Sequence, residues 1–250
     1  ASGNQIDCME RVKLHDLADS SNSTIDVEQD ETEALVRNLN GQRLGRKGII
    51  TRQRILTAAG KLIDEQDDLQ ISLGAIAAEA SLGMTSVYNY FSDLTDVILA
   101  LLENIMVEAE AAYLSHLRIR WEDEQLDEEC SIFVNSFFEF WTRHANIFHI
   151  RNNFADKRDP KMIAHRASVA QEILGLIISQ MEKTSEVSDY PRNSMASAVY
   201  MGVERAVSVL NNKQLMNDLP IAYRPDKVGL LAAEARLFEF GIRSERGVEW

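Results

Sequence analysis

Apolar residues recur at helical spacing in three short blocks that follow one another across residues 51–102. In the first, Ile55, Leu56, Ala59, Leu62 and Ile63 fall at i, i+1, i+4, i+7 and i+8, one stripe of an amphipathic helix. Ser72 then predicts an N-cap, with Ile71 placed to staple onto Ile76. The helix opened there, over 73–80, is small and apolar (Ala75, Ile76, Ala77, Ala78, Ala80), which lets another helix approach closely. Ser81, Leu82 and Gly83 turn the chain, and a third short helix is expected over 85–91. Its Val87 and Phe91 stand at i and i+4 and face inward, while Thr85, Ser86, Asn89 and Tyr90 are short or planar polar groups. A helix so short is held only by its neighbours. A small helix fixed against another across a tight turn is how a recognition helix is offered to a major groove.

The pattern continues helical to the C-terminus. Asp93 predicts the N-cap of a long helix over 93–120, with Asp96 in a capping-box position and Val97, Ile98, Leu101, Leu102, Ile105, Met106, Ala109, Ala112, Tyr113 and Leu117 along its apolar side. After an acidic loop, Phe133, Phe137, Phe140 and Trp141 mark a helix over 132–143, and a short segment follows at 147–154. Asp159-Pro160 opens another helix as N-cap and first position. Ser188-Asp189-Tyr190-Pro191 opens the next, and Pro225-Asp226 the last. The expectation is about nine helices and no internal repeat. The stretch before them, 1–44, reads as a flexible extension with a linker-like Ser20-Ser21-Asn22-Ser23-Thr24 tract and a marginal helix over 28–39. The fold class is all-α: a three-helix helix-turn-helix head over 45–95, then a larger helical body over 96–250.

Composition supports an all-α chain, with 4 Pro and 12 Gly in 250 residues. The net charge of −13 is a poor prior for a nucleic-acid binder. The charge is unevenly placed, however. Glu122-Asp123-Glu124 and Asp127-Glu128-Glu129 lie well beyond the head, whereas Arg43, Arg46, Lys47, Arg52 and Arg54 cluster just before it. Screening confines such fields to about 8–10 Å, so a local basic stretch can serve DNA while the body stays acidic. Within 41–48 the glycines lack phosphate-loop spacing and no strand precedes them. Arg43 and Arg46 fit either an arm entering a minor groove or solvated side chains. No apolar run is long enough for a bilayer and no secretory pattern opens the sequence. Cys8 and Cys130 lie far apart without metal-ligand spacing, so a reduced, cytoplasmic protein without a membrane partner is expected.

Ile76-Ala77-Ala78-Glu79-Ala80, Leu82, Val87-Tyr88-Asn89-Tyr90-Phe91 and Asp93 together resemble the DNA-binding domain of the TetR family of transcriptional regulators. The family's run in this register is like IAxxAGVSxGxLYxHFxxKxxL. The resemblance covers 51–102, and the rest of the chain matches by length and helical layout only. Tyr88 and Tyr90 match positions whose aromatic or His side chains touch phosphate or base, although Tyr88 also reads in part as a packing residue. Thr85 and Ser86 open the recognition helix, where backbone N–H groups favour phosphate. Met84 and Asn89 are expected to point outward to base edges, and Asn pairs bidentately with adenine. Three positions depart from the family pattern. Leu94 stands where Lys commonly contacts a phosphate, Gly83 replaces the usual Ser or Thr cap, and Ser81 replaces the usual Gly of the turn.

The resemblance also implies a body that holds a small-molecule effector. Met106, Tyr113, Phe133, Phe137, Phe140, Trp141, Phe148 and Phe154 are the candidate wall, most such residues being ordinary core, and His149, Arg151, Asn152 and Asn153 are the candidate polar anchors. The last two long helices carry Tyr200, Met201, Val203, Val207 and Leu210, then Leu230, Leu231, Leu237, Phe238 and Phe240, more apolar face than one core needs. Family members pair these helices in a homodimer. Two recognition helices would then lie about 34–36 Å apart on a palindromic double-stranded operator. The expected function is that of a repressor released from DNA when an effector shifts the 97–120 helix. A second reading is an interaction or small-molecule-binding protein on the same fold that no longer binds DNA. An enzyme is disfavoured: there is no GxSxG, HExxH or strand-borne GxGxxG, His144 and His149 are off one helical face, and no cofactor is implied.

Overall fold

The computed structural model describes residues 42–65, 71–182 and 189–248, and of 189–193 the backbone only. The Ser20–Thr24 tract, the helix expected over 28–39 and Cys8 lie outside the described residues. The chain divides into two compact units between Gln53 and Arg54. In the first, Leu44 is buried and α1 (Arg46–Glu65) begins, with Thr51 Oγ1 donating to the Lys47 carbonyl at 2.9 Å.

The second unit is all-helical. It opens with the rest of α1, α2 (Leu73–Glu79) and α3 (Met84–Tyr88), a helix-turn-helix arrangement, and continues into a larger helical body. Ile55, Leu56 and Ala59 of α1, Ile76 and Ala77 of α2, Val87 and Phe91 around α3, and Val97 of the next helix bury one another as a separate small core. Ser72 caps α2 by accepting from Ala75 N at 3.2 Å, and Ile71 packs partly into the core, as the cap-and-staple pattern predicts.

The tight turn has a definite geometry. Ser81 N donates to Ala78 O and Leu82 N to Ala77 O, and Ser81 itself is left-handed, with φ 50°. These two bonds and the left-handed residue make a Schellman motif, the ending in which glycine normally stands.

The long helix departs from the expected one. α4 (Leu94–Ala109) runs into a π-helical turn (Glu110–Leu114) and a last turn, α5 (Ser115–Arg118). The widened turn brings Tyr113 and Leu114, as well as Ala109 and Leu117, into the core. The helix stops before the expected Arg120 because Gln180 captures its last carbonyls: Nε2 donates to Leu117 O and Ile119 O, both at 2.7 Å. Arg246, almost wholly buried, completes this knot by donating to Gln180 O at 2.7 Å and Trp121 O at 2.9 Å. Arg118 bridges the π turn, pairing with Glu110 and Glu172 at 2.9 Å each.

The body is completed by α6 (Leu126–Arg143), α7 (Ala145–Asp156), α8 (Pro160–Met181), α9 (Asp189–Leu210), α10 (Lys213–Asp218) and α11 (Lys227–Arg246). Of the acidic stretch expected as a loop, Glu122 to Gln125 precede α6 and the second acidic cluster is instead its first turn. Asp127, Glu128 and Glu129 sit where the helix dipole favours negative charge, and Leu126 and Cys130 are buried beneath them. Among the described residues there are eleven α-helices. The two beyond expectation are α5, set off by the π turn, and α10, capped by Asn212 accepting from Leu215 N at 2.8 Å.

Candidate functional site

Two places gather the predicted residues. The first is the outer face of α3. Thr85, Tyr88 and Asn89 are exposed, Tyr88 by half, while Val87 and Phe91 are fully inside. Met84, expected outward, is half-buried and packs with Tyr90 against the head core, and Ser86 is half-buried. The exposed triad is therefore narrower than the six residues expected at this helix. Gly83 caps α3 without a side-chain bond. Arg43, Arg46 and Lys47 are exposed and Arg52 half-buried, all in the first unit.

The cations of the head within the second unit are engaged by its own structure. Arg54 Nη2 donates to the Ser81 carbonyl at 3.0 Å, holding the turn. Lys61 lies 2.6 Å from Glu79, which raises its pKa chiefly through that hydrogen bond. Leu94, in the position where the family carries Lys, packs half-buried against both the head core and the body core. The charge beside it comes from α8: Lys161 Nζ reaches Asp96 at 2.5 Å and Asp93 at 3.1 Å. Thr95, buried, donates to Asp159 at 2.8 Å, so the starts of α4 and α8 are tied together. Asn146 of α7 donates to Ile63 O at the end of α1 at 3.0 Å.

The second place is in the body. Met106, Tyr113, Phe137, Phe140, Trp141 and Phe148 do converge, but on a residual void of about 10 Å³. They pack together around it, with Met106 partly buried at its edge. Phe133 is buried against Phe238, ring centres 5.0 Å apart, and His149 rests edge-on to Trp141 at 5.7 Å. The open cavity lies alongside, about 350 Å³ between α7, α8 and α9, and shares Arg151, Val169 and Tyr200 with the aromatic void. Its walls are mostly aliphatic (Ile163, Ala167, Ala170, Leu174 and Met201), with Arg151, Arg166, Asp156 and Glu204 as its charges. Arg151 is an anchor expected from the sequence, Tyr200 and Met201 are expected at the dimer surface, and Arg166 and Glu204 carry no expectation. A signal was available: Tyr200 and Glu204 stand at i and i+4, so a charge continues an apolar helical face.

Arg151 is 5% exposed. Its Nε and Nη2 donate to Asn152 Oδ1 at 3.2 and 3.1 Å, and its guanidinium lies 5.0 Å from the Phe148 ring centre and 5.9 Å from that of Trp141. Burial works against its charge, and Glu204, 3.6 Å away, is the main group that favours it. Arg166 shares the same carboxylate at 3.5 Å. Burial pushes the Tyr113 and Tyr200 hydroxyls up and the His149 and His165 imidazoles down. Burial likewise pushes the Cys130 thiol up, against thiolate chemistry there. Among the described residues, no group of three or more His, Cys, Asp or Glu side chains is placed to hold a metal, and no helix is long and apolar enough to cross a membrane.

Of the α9 and α11 residues expected to face a partner, Leu210 and Leu230 are half-buried. Tyr200, Val203, Val207, Leu231 and Phe238 are buried within the chain, whereas Met201, Leu237 and Phe240 are exposed. Leu237 and Phe240 border a shallow depression with Ala233 and Arg236.

No family model matches the chain. It is similar to an uncharacterised HTH-type transcriptional regulator of Haemophilus influenzae, 25% identical over 164 residues that span 64% of this chain and 74% of the relative. Among solved structures, a TetR-family transcriptional regulator from Marinobacter aquaeolei VT8 superposes at a TM-score of 0.48 with 15% identity, covering 75% of this chain and 98% of that one.

Proposed function

We propose that this chain is a ligand-responsive transcriptional regulator of the TetR type, a repressor that binds a palindromic operator as a homodimer. The observation that carries the reading is the α2–turn–α3 unit, in which Val87 and Phe91 anchor a short helix and leave Thr85, Tyr88 and Asn89 on its outer face. The similarity to a relative named as an HTH-type regulator supports it. In this reading 45–95 is the DNA-reading head and 96–250 the ligand-binding and dimerisation body. Leu237 and Phe240 form part of the twofold contact, and the cavity between α7, α8 and α9 holds the effector. Arg43, Arg46, Lys47 and Arg52 supply phosphate contacts, each of which steepens the salt dependence of binding.

The route from effector to DNA follows from the connections of α8. One end of this helix carries Asp159 and Lys161, which hold the start of α4, and its middle lines the cavity. An effector that fits the cavity better in one position of α8 biases the head through the same helix, as linkage requires.

The test is operator binding by Tyr88→Ala and Asn89→Ala proteins. Both side chains are exposed, so the dimer and its melting temperature should be unchanged, while affinity falls about tenfold or more, about 1–3 kcal/mol per lost base contact. Unchanged affinity in both variants would contradict the assignment of α3. One observation favours a second reading, a small-molecule-binding protein that has left DNA: Leu94 packs into the two cores and Arg54 and Lys61 are held by the head's own structure. That reading expects no sequence-selective binding by the wild-type protein.

A further inference from the structure

The cavity's polar groups are unevenly matched. Two guanidiniums, Arg151 and Arg166, share the single carboxylate of Glu204, at 3.6 and 3.5 Å, longer than a good charge-assisted hydrogen bond. Asp156 lies 3.9 Å from Arg166 but is largely solvated. Arg151 offers five donors and spends Nε and Nη2 on Asn152. His165, whose imidazole is lowered by burial and then by the charge of Arg151, adds no negative charge, and its Nδ1 is itself buried without a partner. A guanidinium that is almost wholly removed from solvent, lines an open cavity and shares its one carboxylate with a second guanidinium is placed to pair with an anion in that cavity.

Resting on the reading of the body as an effector-binding domain, we propose that the effector is an organic anion with an aliphatic body. Its carboxylate or equivalent oxyanion sits between Arg151 and Arg166, and its chain lies along Ile163, Ala170, Leu174 and Met201. A planar carboxylate matches the guanidinium fork of Arg151, and the mostly aliphatic wall suits an aliphatic chain. A cation would meet two arginines beside the single carboxylate they share. A neutral alcohol would leave the charge imbalance as it stands.

The test is calorimetric titration of the full-length protein with three probes of one chain length: decanoate, decanol and decylammonium. Decanoate is expected to bind at least tenfold tighter than either of the others. Arg166→Met, a variant at a partly solvated position, should weaken decanoate several-fold and leave decanol unchanged. Glu204→Gln removes the competing carboxylate and should tighten decanoate several-fold. Ala167→Phe, which fills the cavity, should abolish decanoate binding and thereby locate it. Decanol or decylammonium binding as tightly as decanoate, with loss in Ala167→Phe, would overturn the anion assignment while leaving an effector cavity in place. Binding of none of the three by the folded protein would overturn both. Decanoate binding that survives Ala167→Phe would overturn the location.

Discussion

Ser81 holds a left-handed conformation at φ 50° in the turn between α2 and α3. A Cβ there costs about 1–2 kcal/mol, partly offset by the freedom that glycine would have in the unfolded chain. Ser81→Gly is therefore expected to stabilise the protein by about 0.5–1 kcal/mol and to raise its melting temperature by about 1–3 °C. A lower melting temperature in that variant would contradict the strain. Arg158, at φ 67°, ends α7 with the same pair of backbone bonds, Arg158 N to Ala155 O and Asp159 N to Phe154 O. At neither place does the sequence offer glycine, so the turn type was not legible. The substitution of Ser81 could be noticed only against the TetR pattern. Leu94 has the same character: as a residue it reads as a missing phosphate contact, and only the packing shows that it joins the head core to the body core.

At the scale of elements, caps were the legible part. Ser72, Asp93, Asp159 and Asp226 each cap the helix they were expected to open, with Asp226 accepting from Gly229 N at 2.7 Å. The Asp96 box is displaced by one residue, its carboxylate accepting from Ser92 N at 3.1 Å. The helix ends that failed were those set by long-range partners. Gln180 stops the α4–π–α5 run from another helix, and the acidic first turn of α6 reads as loop until its buried Leu126 and Cys130 are seen. The tie between α4 and α8 was equally illegible, since Thr95 and Asp159 are 64 residues apart. Thr95→Val keeps the shape of this buried side chain and removes its bond to a carboxylate. It should cost about 1–2 kcal/mol in denaturant unfolding. If the Thr95–Asp159 bond carries the signal along α8, the same variant should also weaken effector-induced release of DNA without changing affinity for the effector alone. Unaltered release would remove that bond from the route.

Over the whole molecule, the aromatic residues predicted as a ligand wall became the core, and the cavity opened beside them, where apolar faces of α8 and α9 are interrupted by charges. Aromatic content identifies what is buried, but not which side of it is left unfilled. The same burial gives the protein a pH signature. Burial lowers the pKa of His144, His149 and His165 below the ordinary 6.5, so the folded state holds them neutral while the unfolded chain protonates them. Stability is then complete above pH 6.5 and falls as the pH drops through the lowered values. The Asp96 and Asp159 carboxyls, pushed up by desolvation but more strongly held down by their hydrogen bonds, keep their contribution through this range. The melting temperature should therefore be lower at pH 5.5 than at pH 7.5, and His149→Gln with His165→Gln should flatten the difference. A wild-type melting temperature equal at the two pH values would contradict it.

The central claim is that an acidic chain, with few free cations in its recognition unit, still reads DNA through α3. The most direct measurement is selection of random double-stranded DNA by the purified protein at two salt concentrations. The account predicts enrichment of a palindrome whose half-sites lie about one helical turn apart, with binding weakened at the higher salt. Failure of the folded protein to enrich any sequence at either salt concentration would contradict it.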